Sequence, residues 1–323
     1  MINSVDVIFG AAWGDEGKGK IATRIVDNYE FICRYNGGSN AGHTFYINGE
    51  KIVTHIVPTG VAFGKKSIIG PNCVVNKDDF FKEIDYLNSL GFDTSLVKIS
   101  RKAHVVTDDH INLDKEKYSG LLGTTSKGIG PCYADKASRT GIRADEVFEE
   151  KWLWDEELYG DILCEGAQSF WLDINYGSYP YVTSSECLPY SACSLGFSPK
   201  NIRNIIGVAK MYDTRSGIDP YFDLNNEETE LIAKLGNEFG STTGRPRKIK
   251  YLNVDKLIFA LNKSGANALY LNKGDVLKEA NVFKCIKDQN TIEFEDLSAM
   301  KCFVKSEVVM NTDVVKLEFD FNI

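Results

Sequence analysis

Short apolar runs recur along the chain, each ending in glycine or polar residues: Asp6 to Gly10, Phe31 to Arg34, Ser67 to Ile69, Val97 to Ile99, Ile162 to Cys164, Ile205 to Ala209 and Ala268 to Leu271. Runs of this length, bounded by turn signals, read as buried strands. Between several of them, Lys20 to Val26, Lys77 to Leu90 and Val254 to Asn262 carry apolar residues at helical spacing. Strand, glycine loop and helix at the start, followed by this alternation, predict an α/β fold: P-loop-like, with a mainly parallel central sheet flanked by helices. Trp152 to Tyr159 reads as an acidic, helix-prone link. Thr291 to Phe321 alternates apolar and charged residues and predicts a small antiparallel C-terminal appendage over 285–323. With no repeat, low-complexity tract or proline-rich linker, residues 1–323 read as a single domain.

Composition narrows the class. The chain is 43% hydrophobic and 25% charged, an ordinary globular balance. Its net charge of -8 argues against broad binding to nucleic acid or to an anionic membrane. No run reaches the ~18 to 20 apolar residues of a membrane span, and the N-terminus lacks a signal-peptide pattern. Eight scattered cysteines without a Cys-x-x-Cys pair read as free thiols of a cytoplasmic protein rather than disulfides or a zinc site.

Five polar segments carry candidate chemistry. In the first loop Gly14, Gly17 and Gly19 alternate with Lys18 and Lys20, so that backbone N–H groups and a helix N-terminus can meet phosphate oxygens. It is not a standard P-loop, because Ile21 stands where Ser or Thr would face Mg²⁺. Asp15 and Glu16 oppose a pure anion cradle; an aspartate there makes more sense as a base or metal ligand. The bland alternative is a glycine turn with solvated charges. Asn36 to Thr44 reads as a binding loop in which His43 either donates to a developing phosphoryl charge or is merely structural. Gly123 to Pro131, with Arg139 downstream, has the hydroxyls, amides and cation of a monophosphate site, or of a polar surface loop. In Gly240 to Arg247 two arginines flank Pro246; their forks suit a small dianionic acid or a phosphate, against a solvated basic loop. Asn272-Lys273-Gly274-Asp275 has the pattern by which many GTP-binding folds read guanine.

Seven motifs in order resemble the adenylosuccinate synthetase family: Trp13 to Lys20, Asn40 to Thr44, Gly128 to Pro131, Glu165 to Gln168, Tyr179 to Ser185, Thr242 to Arg247, and Lys273 with Asp275. The resemblance spans roughly residues 5 to 280 and implies a ligase that joins L-aspartate to C6 of a purine 5'-monophosphate at the expense of GTP, through a 6-phosphoryl intermediate. It implies Asp15 and His43 as catalytic residues, with Mg²⁺ held by Asp15 and the Gly42 carbonyl. GTP would meet Gly14, Glu16, Gly17, Lys18, Gly19, Lys20, Gly42, Thr44, Arg247, Lys273 and Asp275. The purine monophosphate would meet Asp15, Asn40, Thr125, Gln168, Thr183 and Arg139, the last from the other subunit of a homodimer. L-Aspartate would meet Thr242, Thr243, Arg245 and Arg247.

Two alternatives stand beside an IMP-dependent ligase. Ser185-Glu186-Cys187-Leu188-Pro189 resembles phage relatives that join L-aspartate to dGMP on the way to 2-aminoadenine, whereas the retained Asp15 favours IMP. A GTP-binding regulatory module without ligase activity is the other, and Asp15, His43 and Arg245 count against it. The chain is shorter between Arg143 and Ile162 than long bacterial members, and the late Ser-x-Gly-Pro segment that helps enclose guanine is not found, which leaves ATP open as donor. Compact archaeal and phage members share this layout.

Overall fold

The computed structural model describes residues 1–220, 222, 226–240 and 244–320, with the Asp320 side chain left out. Its centre is a nine-stranded sheet. In chain order the strands are β1 (Ile2–Gly10), β2 (Phe31–Arg34), β3 (Lys66–Ile69), β4 (Val97–Ser100), β5 (Leu153–Trp154), β6 (Gly160–Glu165), β7 (Ile202–Lys210), β8 (Ala268–Asn272) and β9 (Lys316–Asp320). They lie across the sheet as β9-β8-β7-β1-β6-β2-β3-β4-β5, and every neighbouring pair is parallel. The central strands are covered on both faces, which is why they read as continuous apolar runs; Val5, Val7, Ile8 and Phe9 of β1 are all buried. Each such side chain contributes roughly 1.5–3 kcal/mol by leaving water.

Parallel pairing places all the strand C-termini along one edge. There the apolar pattern breaks: β2 ends in Arg34, β6 in Glu165, β7 in Lys210 and β8 in Asn272, all buried. Ligands of open α/β sheets bind outside the carboxyl ends of the strands, where the order reverses. Here that point is β1, flanked by β6 and β7.

The helices Lys18–Ile25, Lys77–Ser89 and Val254–Ser264 fall within a few residues of expectation. The end of the chain differs from it in part. The antiparallel element is a hairpin of Lys284–Lys287 and Asn290–Glu293. Leu297–Asn311, however, is helix, and β9 joins the central sheet parallel to β8. The cause is local: Asp296 caps the helix by accepting from the Ala299 N–H at 2.7 Å, and Met300, Val304 and Val308, four apart, are buried. Trp152 to Tyr159 likewise holds the edge strand β5 rather than an α-helix. None of the helices among the described residues is long and apolar enough to cross a membrane.

Candidate active site

A cavity of about 790 Å³ opens at the carboxyl ends of β1, β2 and β6, large enough for a nucleotide. Gly14, Asp15, Lys18, Asn40, Gly42, His43, Thr125, Gln168 and Thr183 all line it. Stretches far apart in sequence therefore converge on it.

In the first loop Gly17 adopts φ 91° and caps the following helix, and a side chain at Gly19 would come within 2.9 Å of the His43 Cβ. The acid that looked misplaced is internal bracing. Glu16 accepts from the Gly14 N–H at 2.8 Å and pairs with Lys18 Nζ at 2.8 Å, both side chains buried. Lys18 also donates to Ser169 Oγ at 3.2 Å. Asp15 points the other way, its backbone at φ 61°. Its Oδ2 accepts from Ser216 Oγ at 3.1 Å and lies 2.8 Å from Arg247 Nε, an ionic contact not aligned as a hydrogen bond.

His43 is buried against two charges that its own motif did not announce. Arg34 Nη2 lies 3.1 Å from His43 Nδ1 and donates to Glu165 Oε1 at 3.1 Å. Glu165 is also held by Thr59, whose N–H donates to Oε1 and whose hydroxyl donates to Oε2. Nδ1 faces the donor-only Arg34 guanidinium at 3.1 Å and the Glu165 Oε2 acceptor at 3.5 Å; the shorter contact assigns the acceptor role to Nδ1 and the ring proton to Nε2. Nε2 is buried with no partner among the described residues, on a ring that lines the cavity. Burial, and then the Arg34 charge, lowers the His43 pKa to about 4, so near neutral pH the ring is an uncharged donor. Burial alone would raise Glu165, but the Arg34 charge, the largest of the opposing causes, brings its pKa down to about 2.

The 123–131 segment is tied from behind. Buried Asp114 accepts from Thr124 Oγ1 at 2.7 Å and from the Gly128 N–H at 2.9 Å, leaving Thr125 on the cavity wall. Arg139 ends the helix Ile129–Ser138 at φ 68°; it is exposed and outside the cavity. Gln168 (φ 55°) has a buried Oε1 without a partner among the described residues. Thr183 is held through its N–H by Leu172 O, and Arg215 braces the same wall by donating to Tyr181 O at 2.6 Å.

Arg245 donates to Gly123 O at 2.9 Å, and Arg247 bridges Asp15 and Glu238. Thr242 and Thr243 lie outside the described residues. Lys20 and Thr44 are half-buried beside, not in, the cavity wall. Asn272 donates to Glu16 O at 2.8 Å, which joins the first loop to the 272–275 segment. Lys273 turns at φ 66° and donates to Gly236 O at 3.3 Å; Asp275 Oδ1 is buried without a partner among the described residues. Asp15, Arg139, Gln168 and Lys273 thus share a backbone conformation that costs a non-glycine residue of order 1–3 kcal/mol, the kind of strain that gathers at functional sites.

Sequence reasoning did not single out Arg34, Lys210, Asp114, Arg215, Ser216 or Glu238, nor give Glu165 a role. For three of them a signal was available: Arg34, Glu165 and Lys210 are charges at the carboxyl ends of otherwise apolar buried strands.

A parallel α/β sheet with a glycine-rich phosphate loop, a polar nucleotide-sized cavity and a guanine-type segment defines a nucleotide-dependent enzyme. The family model described as adenylosuccinate synthetase matches residues 7–159 and 155–293. The adenylosuccinate synthetase of Geobacillus sp. is 36% identical, over 86% of this chain and 79% of that one. That of Parabacteroides distasonis is 37% identical, over 87% and 80%. Among solved structures, the fully ligated adenylosuccinate synthetase of Plasmodium falciparum superposes with a TM-score of 0.79 at 29% identity, over 93% of this chain and 86% of that one. The succinoaminodeoxyadenylate synthetase of cyanophage S-2L, bound to dGMP and dATP, gives 0.72 at 19% identity, over 95% and 100%, and shares the fold. The chain belongs to the adenylosuccinate synthetase family, ligases that form a C–N bond between IMP and L-aspartate at the expense of GTP in purine nucleotide biosynthesis.

Proposed function

We propose that this chain performs that ligation with Asp15 as base and His43 as phosphoryl-stabilising donor, and that IMP is its acceptor. The carrying observation is the convergence of Asp15, Asn40, His43, Thr125, Gln168 and Thr183 on one cavity. Asp15 takes the N1 proton of the purine as O6 attacks the γ-phosphorus of GTP; the O6–P bond forms, the bond to the β,γ-bridging oxygen breaks and GDP leaves. Nε2–H of His43 donates to the charge that develops in transfer, and with a pKa of about 4 the ring's charge does not change across ordinary pH. The amine of L-aspartate then attacks C6, loses a proton and expels inorganic phosphate. Asn40, Thr125, Gln168 and Thr183 hold the purine monophosphate. Thr242, Thr243, Arg245 and Arg247 take L-aspartate. The first loop, with Thr44 and Arg247, takes the triphosphate, and Lys273 and Asp275 take guanine, for which the unpartnered Asp275 Oδ1 is a ready acceptor.

The Asp15 carboxylate and the Gly42 carbonyl fit Mg²⁺, which prefers a few hard oxygens and completes its shell with phosphate and water. Both residues line the cavity, and no cluster of three or more acid, histidine or cysteine side chains forms a closed cage among the described residues. Bound there, Mg²⁺ supplies charge neutralisation at the triphosphate. Exposed Arg139, outside its own cavity, reaches the monophosphate of a second subunit in a homodimer.

The purified chain with IMP, L-aspartate, GTP and Mg²⁺ should yield adenylosuccinate and GDP, with each component required. Parallel reactions replace IMP by dGMP and GTP by ATP. Turnover with dGMP and none with IMP would overturn the acceptor; near-normal turnover by Asp15→Ala would remove Asp15 as base.

A further inference from the structure

Behind the first loop lies a closed set of four charges. Lys210 Nζ sits 2.9 Å from both oxygens of Glu238, and Tyr212 OH donates to Glu238 Oε1 at 2.7 Å. Glu238 and Lys210 are both buried. Arg247 closes the set by placing Nη1 on Glu238 Oε2 and Nε on Asp15 Oδ2. Two cations and two anions balance. Asp15 Oδ2 is then engaged twice, by Arg247 and by Ser216 Oγ.

We propose that Arg247 is a cation shared between Asp15 and an arriving oxyanion, and that Glu238 is the positioning residue about which it turns. This rests on the ligase reading and adds to it a coupling between cosubstrate and base. A carboxylate whose oxygen is held by a guanidinium is committed to that partner rather than to a ring nitrogen. An oxyanion entering the cavity breaks the balance and competes for the same guanidinium, whose fork binds carboxylates and phosphates alike. Glu238 keeps its end of the arginine because Lys210 and Tyr212 fix it from the other side. The arginine therefore swings rather than leaves, and Asp15 is released only when the site is charged. The carboxylates of L-aspartate are the oxyanion the inference commits to, since Arg245 of the same turn already reaches the cavity segment at Gly123 O. The consequence is that the 6-phosphoryl intermediate is not formed, and lost to water, before the amine that consumes it is present.

The test uses succinate, a dicarboxylate without the amine. Phosphoryl transfer is read as scrambling of an oxygen-isotope label between the bridging and non-bridging β-oxygens of GTP in the presence of IMP. Succinate should accelerate scrambling about ten-fold in the wild-type chain, the size of an ordinary coupling between sites. In Arg247→Leu, measured at saturating GTP because Arg247 also meets the triphosphate, scrambling should no longer respond to succinate, while the KM for L-aspartate rises. Glu238→Gln should reduce the stimulation by succinate, and Glu238→Asp should restore part of it. Should Glu238→Gln fail to fold with Lys210 buried and unpaired, the double change Lys210→Met with Glu238→Gln carries the same readout. Equal scrambling with and without succinate in the wild type overturns the proposal, as does an undiminished response to succinate in Arg247→Leu. Stimulation by GTP concentration alone, with succinate inert, assigns the oxyanion to phosphate and overturns the commitment to the dicarboxylate. If the wild type makes no adenylosuccinate at all, it is the ligase reading that fails instead.

Discussion

Asp213 is buried two residues before the cavity-lining Arg215, and its Oδ2 accepts from the Asn253 N–H at 2.9 Å. Burial raises its pKa to about 7 against the partial relief of that hydrogen bond and of Lys256 and Lys250. The unfolded chain ionises this carboxyl near pH 4 and the folded chain only near 7. Whatever stability the protonated form gives is therefore complete below pH ~4 and lost progressively as pH rises through 7, then constant above it. Asp213→Asn should accordingly be more stable than wild type at pH 8, by at most about 4 kcal/mol, less what the amide fails to pair. The advantage should shrink to nothing toward pH 4. Urea midpoints measured across that range check it; an advantage that does not depend on pH would mean the effect is packing. Glu16 makes the opposite lesson at the same scale. Its charge looked wrong for a phosphate loop because spacing cannot show that Lys18 folds back onto it.

The central strands of the sheet were legible because burial on both faces leaves little room for anything but short apolar runs, whereas the edge strands β5 and β9 were not read as members of it. The phosphate, histidine and guanine-type segments were legible because glycine and polar residues cluster at their ends. What sequence left dark is pairing at long range: Arg34 meets Glu165 across 131 positions, and Asp15 meets Arg247 through the fold alone. The last helix was dark for another reason. Val315-Lys316-Leu317-Glu318-Phe319 alternates as a strand should, and the same reading was carried back over residues whose buried positions recur every four. Asp114 shows how one such unseen contact governs a whole element. It lies in the helical turn before the loop, 10 residues from Thr124 and 14 from Gly128, and holds both with its carboxylate. Hydrogen bonds to a charged group are worth about 1.5–3 kcal/mol, so Asp114→Ala should raise the KM for IMP by about ten-fold or more. The KM for GTP should change little, because the first loop is braced independently by Glu16 and Asn272. Equal rises in both constants would show that Asp114 supports the fold in general and not the monophosphate wall.

At the scale of the whole molecule, the cavity wall contributed by one chain contains Asp15, His43 and the hydroxyls of Thr125 and Thr183, yet Arg139, to which the proposed function gives the monophosphate, is exposed at a helix end. A site that takes its base from one subunit and Arg139 from the next makes a specific demand on mixtures of inactive variants. In a closed two-fold dimer the sites are equivalent, so each chain gives one Arg139 away and receives one. Asp15→Ala should be inactive, and Arg139→Leu should be severely impaired through its KM for IMP. Mixed and re-associated in equal amounts, half of the dimers are hybrids. In each hybrid one site joins an intact Asp15 to an intact Arg139, and the other joins both lesions. The mixture should recover about a quarter of the wild-type rate per subunit. The recovery should appear with the time course of subunit exchange, followed by sedimentation or by light scattering. An Arg139 that serves its own cavity predicts no recovery from any mixture, since every chain would then keep its own lesion.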